Sequence, residues 1–124
     1  METPKIGYVN LFVTDLARSI AFYRDTLGLR VEMEDGGFGY ASFDAGPIRL
    51  GLAQIDSTGD HGALAGRHTG IGLCVADLES VARELEQRGV AFAAPPARQP
   101  WGGFMAMIED PDGNLLYLDQ VEVH

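Results

Sequence analysis

Sliding the chain along itself gives one informative offset, 62 residues, half of its 124. Val13-Thr14-Asp15-Leu16 falls on Val75-Ala76-Asp77-Leu78, and each is preceded by a strand-like run and followed by a helix-like one. Val9, Leu11 and Val13 alternate with Tyr8, Asn10 and Phe12, while Ile71, Leu73 and Val75 alternate with Gly70, Gly72 and Cys74. This period of two is that of a strand packed on one face. Asp15 and Asp77 then stand where a helix N-cap belongs, with carboxylates able to accept from free N–H groups of the first turn. Leu16, Ile20, Tyr23 and Leu27 make one apolar helical stripe, and Leu78, Val81, Ala82 and Leu85 the other. Gly28 and Gly89 are placed to end the two helices in the left-handed conformation.

Strand candidates follow each helix: Arg30 to Glu34, Phe38 to Asp44 and Ile48 to Gln54, then Val90 to Ala94, Gly103 to Ile108 and Leu115 to Val121. Each half therefore reads βαβββ, an α+β class. The expected organisation is one domain of two tandem modules, 1–55 and 70–124, joined by a glycine-rich linker at 56–69. A four-stranded sheet in each half, curled face to face into one mixed sheet, would enclose a cleft. Parity along the strands puts Tyr8, Asn10, Phe12, Arg49, Gly51, Ala53, Tyr117 and Asp119 on the cleft side. Gly51, Gly70 and Gly72 would leave its middle empty. That gives a use to some of the 16 glycines, nearly double the usual share of about 7%.

A chain of this length can bury a core without staples. Its single cysteine, Cys74, has no intramolecular partner, which suits a reducing cytoplasm; a small packed residue is the expected role. The net charge of −9 disfavours nucleic acid and anionic membranes and favours cationic ligands. No signal peptide and no membrane-spanning apolar run is expected from the sequence.

Val13-x-Asp15-Leu16-x-x-Ser19-x-x-Phe22-Tyr23, Leu27-Gly28 and the turn Asp110-Pro111-Asp112-Gly113-Asn114 resemble the vicinal oxygen chelate superfamily of glyoxalases, extradiol dioxygenases and bleomycin-resistance proteins. The resemblance covers essentially the whole chain. It implies a divalent metal held by a His on the first strand and a Glu on the last strand of each half. At those positions stand Tyr8, Arg49, Gly70 and Tyr117. Divalent ions need imidazole or carboxylate donors, so no metal cofactor is expected. His68, one pleat step from Gly70, is the weak metal candidate; its plainer reading is a solvated linker histidine. His61 and His124 read as exposed.

Gln99-Pro100-Trp101-Gly102 resembles a segment of bleomycin-resistance proteins, which are metal-independent homodimers that sequester a cationic, aromatic-rich antibiotic. The resemblance implies that Trp101 is a stacking wall; the alternative is a loop anchor packed on its own half. Arg49 would pair with Asp44 or Asp119, or grip a ligand carboxylate. The preferred expectation is a metal-independent homodimer binding an aromatic, cationic small molecule through Tyr8, Asn10, Arg49, Trp101, Tyr117 and Asp119. The alternative is an enzyme (lyase, isomerase or dioxygenase) with a relocated metal or a metal-free acid–base site at Tyr8 or Tyr117. A module within a larger assembly is a third reading that no residue specifically favours.

Overall fold

The computed structural model describes residues 1–121, so the expectation for His124 lies outside the described residues. The chain forms two compact units, Met1–Ala65 and a second beginning at Gly66. In the first, β1 (Tyr8–Val13) leads into α1 (Leu16–Ala21), followed by β2 (Arg30–Asp35), β3 (Tyr40–Asp44) and β4 (Arg49–Gln54). In the second, β5 (His68–Val75) leads into α2 (Leu78–Gln87), followed by β6 (Phe92–Arg98), β7 (Phe104–Glu109) and β8 (Leu115–Gln120). Each unit is βαβββ with a four-stranded mixed sheet, ordered β1-β4-β3-β2 in one and β5-β8-β7-β6 in the other. The first strand of each pairs parallel with the last, as a helical crossover requires.

The repeat extends to how the helices start. Asp15 accepts from Arg18 N–H at 3.2 Å and Asp77 from Ser80 N–H at 3.1 Å. A glutamine from the neighbouring last strand supplies a second acceptor to each: Gln54 Oε1 takes Leu16 N–H at 2.8 Å and Gln120 Oε1 takes Leu78 N–H at 3.1 Å. Two of the groups that a helix N-terminus leaves without an internal partner are thus satisfied at each helix. Gly28 and Gly89 both adopt φ of +84°, ending the helices as expected.

Four boundaries stand out as different from the sequence reading. After Ala21 the first helix loosens into a π-helical turn, Phe22–Thr26, closed by Leu27 N–H on Phe22 C=O at 2.9 Å. The loosened turn keeps Tyr23 fully buried and packed on Phe43, ring centres 6.1 Å apart, whereas Leu27 is only half-buried. β6 runs on through Pro95-Pro96 to Arg98, beyond the expected end at Ala94. Prolines are tolerated there because β6 is an edge strand, and its register on β7 slips between Ala94 and Ala97. β3 starts at Tyr40 instead of Phe38, which sits in the preceding turn. β5 begins at His68, inside the segment expected to link the modules.

The first core gathers Leu11, Val13, Leu16, Ile20, Tyr23, Ala41, Phe43, Leu50 and Leu52 between α1 and its sheet. The second gathers Leu78, Ala82, Leu85, Val90, Ala106, Ile108, Leu116 and Leu118 in the same way. The turn before β8 is a buried polar knot. Asp110 Oδ1 accepts from Asp112 N–H and Asn114 N–H, each at 2.9 Å, and Asp110 Oδ2 accepts from Asn114 Nδ2 at 2.9 Å. Asn114 Oδ1 in turn accepts from Gly66 N–H at 2.8 Å and Arg67 N–H at 3.1 Å, tying the entry of β5 to this turn.

Candidate ligand-binding faces

Each sheet has a helix-covered face and an open face, and the strand register decides what the open face displays. In the first sheet Tyr8 lies beside Arg49, Asn10 beside Gly51 and Phe12 beside Ala53. Continuing across, Arg49 faces Asp44, Gly51 faces Ser42 and Ala53 faces Tyr40. Tyr8 is 58% exposed and Arg49 is exposed.

Tyr40 is a residue that sequence reasoning passed over. Its hydroxyl donates to Asn10 Oδ1 at 2.9 Å, so its side chain spans β4, the strand between them. A Cβ at Gly51 would collide with Asn10 Oδ1 and with the Tyr40 hydroxyl and ring carbon. Gly51 therefore makes room for the protein's own tyrosine, which corrects its expected role as empty cleft floor. Gly70 and Gly72 do open space, since a Cβ on either meets nothing within 4 Å.

Arg49 does not pair with Asp44 as one reading had it. Asp44 Oδ2 accepts from Arg30 Nη2 at 2.9 Å and Asp44 Oδ1 from Gly46 N–H at 3.0 Å. Among the described residues, Arg49 makes no ion pair.

The second sheet aligns Gly72 with Tyr117 and Cys74 with Asp119. Met107 faces Tyr117 and Met105 faces Asp119 from the other side. One thioether beside the phenol and a second beside the carboxylate make an adaptable apolar row along β7. The methionines were legible as strand residues, but their side of the sheet depended on register. Cys74 is exposed, not packed as expected. His68 stands edge-on to Tyr117, ring centres 5.0 Å apart, and its Nδ1 accepts from Gly70 N–H at 3.1 Å. The register slips between His68 and Gly72, with Gly70 at φ +71°, a conformation that favours glycine.

Trp101 sits at the tip of the β6–β7 hairpin and is 74% exposed. Gly102 N–H on Gln99 C=O at 2.9 Å and Gln99 N–H on Gly103 C=O at 2.7 Å fix the turn. A side chain at Gly103 would press on the indole Nε1, so glycine lets the ring lie close to its own turn. The β2–β3 hairpin repeats the design: Gly39 N–H bonds Gly36 C=O at 3.3 Å, and Phe38, at the position matching Trp101, is 89% exposed. Phe38 could have been found by aligning the two turns, Gly36-Gly37-Phe38-Gly39 with Gln99-Pro100-Trp101-Gly102.

The family's divalent metal does not fit these residues. Arg49 brings a positive charge and Gly70 no donor, while Tyr8 and Tyr117 offer phenols in place of the imidazole and carboxylate donors such ions take. Among the described residues, no three His, Cys, Asp or Glu gather closely enough to hold an ion. Two carboxyls that titrate below the ordinary range lie elsewhere: Asp25, through its hydrogen bond to Arg24, and Asp56, through the Thr58 N–H and hydroxyl. No helix among the described residues is long and apolar enough to cross a membrane.

Comparison with known proteins places this geometry. An uncharacterized protein of Bacillus subtilis strain 168, YraH, is 28% identical over 121 residues, covering 90% of this chain and 94% of its own. A crystal structure of a superfamily member from Sphaerobacter thermophilus DSM 20745 aligns with a TM-score of 0.82 at 26% identity, over 96% of this chain and 98% of that one. TnmS3, an antibiotic binding protein from Streptomyces sp. CB03234, aligns with a TM-score of 0.78 at 28% identity, over 97% and 98%. A family profile matches residues 5–118, and with the doubled βαβββ unit it shows that this chain belongs to the Glyoxalase/Bleomycin resistance protein/Dioxygenase superfamily.

Proposed function

We propose that this chain binds and sequesters an aromatic, antibiotic-like small molecule without a metal, acting as a homodimer in the cytoplasm. The observation that carries the reading is Trp101, a large ring held out to solvent on a short hydrogen-bonded turn. An exposed indole on a stiff support loses little conformational freedom when a planar ligand stacks on it. Similarity in structure supports the reading, since the neighbour TnmS3 is an antibiotic binding protein. Tyr8 and Tyr117 add aromatic surface, and Asn10, Arg49 and Asp119 orient the guest. The net charge of −9 favours a ligand carrying positive charge, over a range limited by a Debye length of about 8 Å in physiological salt.

Calorimetric titration of chelator-treated protein with a panel of cationic aromatic antibiotics tests this. Binding is expected in the absence of metal, and Trp101→Ala is expected to weaken it at least tenfold with an unchanged melting temperature. Stoichiometric metal in protein purified without chelator, lost in His68→Ala, would overturn the metal-free reading.

A further inference from the structure

Arg49 is an anomaly of the first sheet. A cross-strand Arg–Asp pair is the ordinary way to settle such a side chain, and Asp44 stands directly opposite it. Yet Asp44 commits one oxygen to Arg30 and the other to Gly46 N–H. In a chain with twice as many acids as bases, this exposed guanidinium is left without a carboxylate among the described residues.

Beside the committed Asp44 carboxylate, two further neighbours on the open face offer donors. Tyr8, its partner across β1 and β4, presents a hydroxyl with no hydrogen bond among the described residues. Asn10, two residues along the same face, has its carbonyl oxygen occupied by the Tyr40 hydroxyl, which leaves the Nδ2 hydrogens as its available group. The face thus offers a guanidinium fork, an amide N–H and a phenolic O–H, all donors, beside an aromatic ring.

We propose that the open face of the first sheet is a recognition surface for an oxyanion on the edge of a planar aromatic ligand, a carboxylate or an ionised phenol. Arg49 takes the charge, Asn10 Nδ2 and the Tyr8 hydroxyl donate to flanking oxygens, and the Tyr8 ring supports the plane. This rests on the small-molecule-binding reading and narrows it: the guest carries an acceptor edge as well as any positive charge that the acidic chain attracts.

The test is calorimetric titration of the full chain with three probes of one shape: anthraquinone-2-carboxylate, anthraquinone-2-carboxamide and 2-(aminomethyl)anthraquinone. Arg49→Gln and Tyr8→Phe are measured alongside, with thermal melts as the check on folding. The carboxylate is expected to bind at least tenfold tighter than the carboxamide, and Arg49→Gln to abolish that difference by weakening the carboxylate far more than the carboxamide. A fourth probe, 2-hydroxyanthraquinone titrated on either side of its phenol ionisation, asks the same of a phenolate: tighter binding of the ionised form that Arg49→Gln abolishes supports the proposal. Equal affinity for carboxylate and carboxamide, or a preference that survives Arg49→Gln, would overturn the proposal. If only the aminomethyl probe binds, the oxyanion surface is refuted while the binding reading stands. If none binds, both fall.

Discussion

Asn114 shows how much one side chain can hold. Its amide oxygen receives two backbone N–H groups from the entry to β5, and its amide nitrogen donates to Asp110, all with the side chain about 1% exposed. Removing it takes the acceptor from two part-buried N–H groups and one donor from the buried Asp110 carboxylate, and an unsatisfied buried group costs about 1–3 kcal/mol. Asn114→Ala is therefore expected to destabilise the protein by about 2–4 kcal/mol in urea unfolding. Asn114→Asp tests the cause: it keeps the acceptor for Gly66 and Arg67 but turns the donor to Asp110 into a second buried charge, so it should be at least as damaging as alanine. The Asp110-to-Asn114 turn, used in the sequence as a family marker, is thus also a structural clamp.

At the scale of elements, the glycines divide by what surrounds them. Gly51→Ala must push aside Tyr40 and Asn10 and is expected to cost about 1–3 kcal/mol, as overpacking does. Gly72→Ala, whose Cβ meets nothing within 4 Å, should leave the melting temperature within a degree or two. Equal losses in the two variants would show that the Tyr40 bridge over Gly51 does not form. The contrast also marks what the sequence could and could not reveal. Caps and helix ends were legible because Asp15, Asp77, Gly28 and Gly89 act within a few residues of themselves. Gln54 and Gln120 were not, because each reaches a helix about 40 positions away in the chain. Tyr40 was missed for the same reason, since its partner Asn10 lies 30 positions away and two strands over. Strand parity correctly placed Tyr8, Asn10 and Arg49 on one face, but not which carboxylate Arg49 would lack.

For the whole molecule, the repeat means two units with separate cores and their own capped helix. Hydrogen exchange on Asn114→Ala is expected to show this as a larger loss of protection in β5, β7 and β8 than in β1, β3 and β4; an equal loss throughout would mean one cooperative core. The outer strands β2 and β6 carry a different message. β6 has two consecutive prolines, so both its inward and its outward rows of donors are interrupted, and β2 carries Glu32 and Glu34 with a register slip after Val31. Both are poor templates for a further strand, because one lacks the N–H groups of Pro95 and Pro96 and the other is charged and bent. Chains at high concentration are thereby hindered from zipping edge to edge along the outer strand of either sheet.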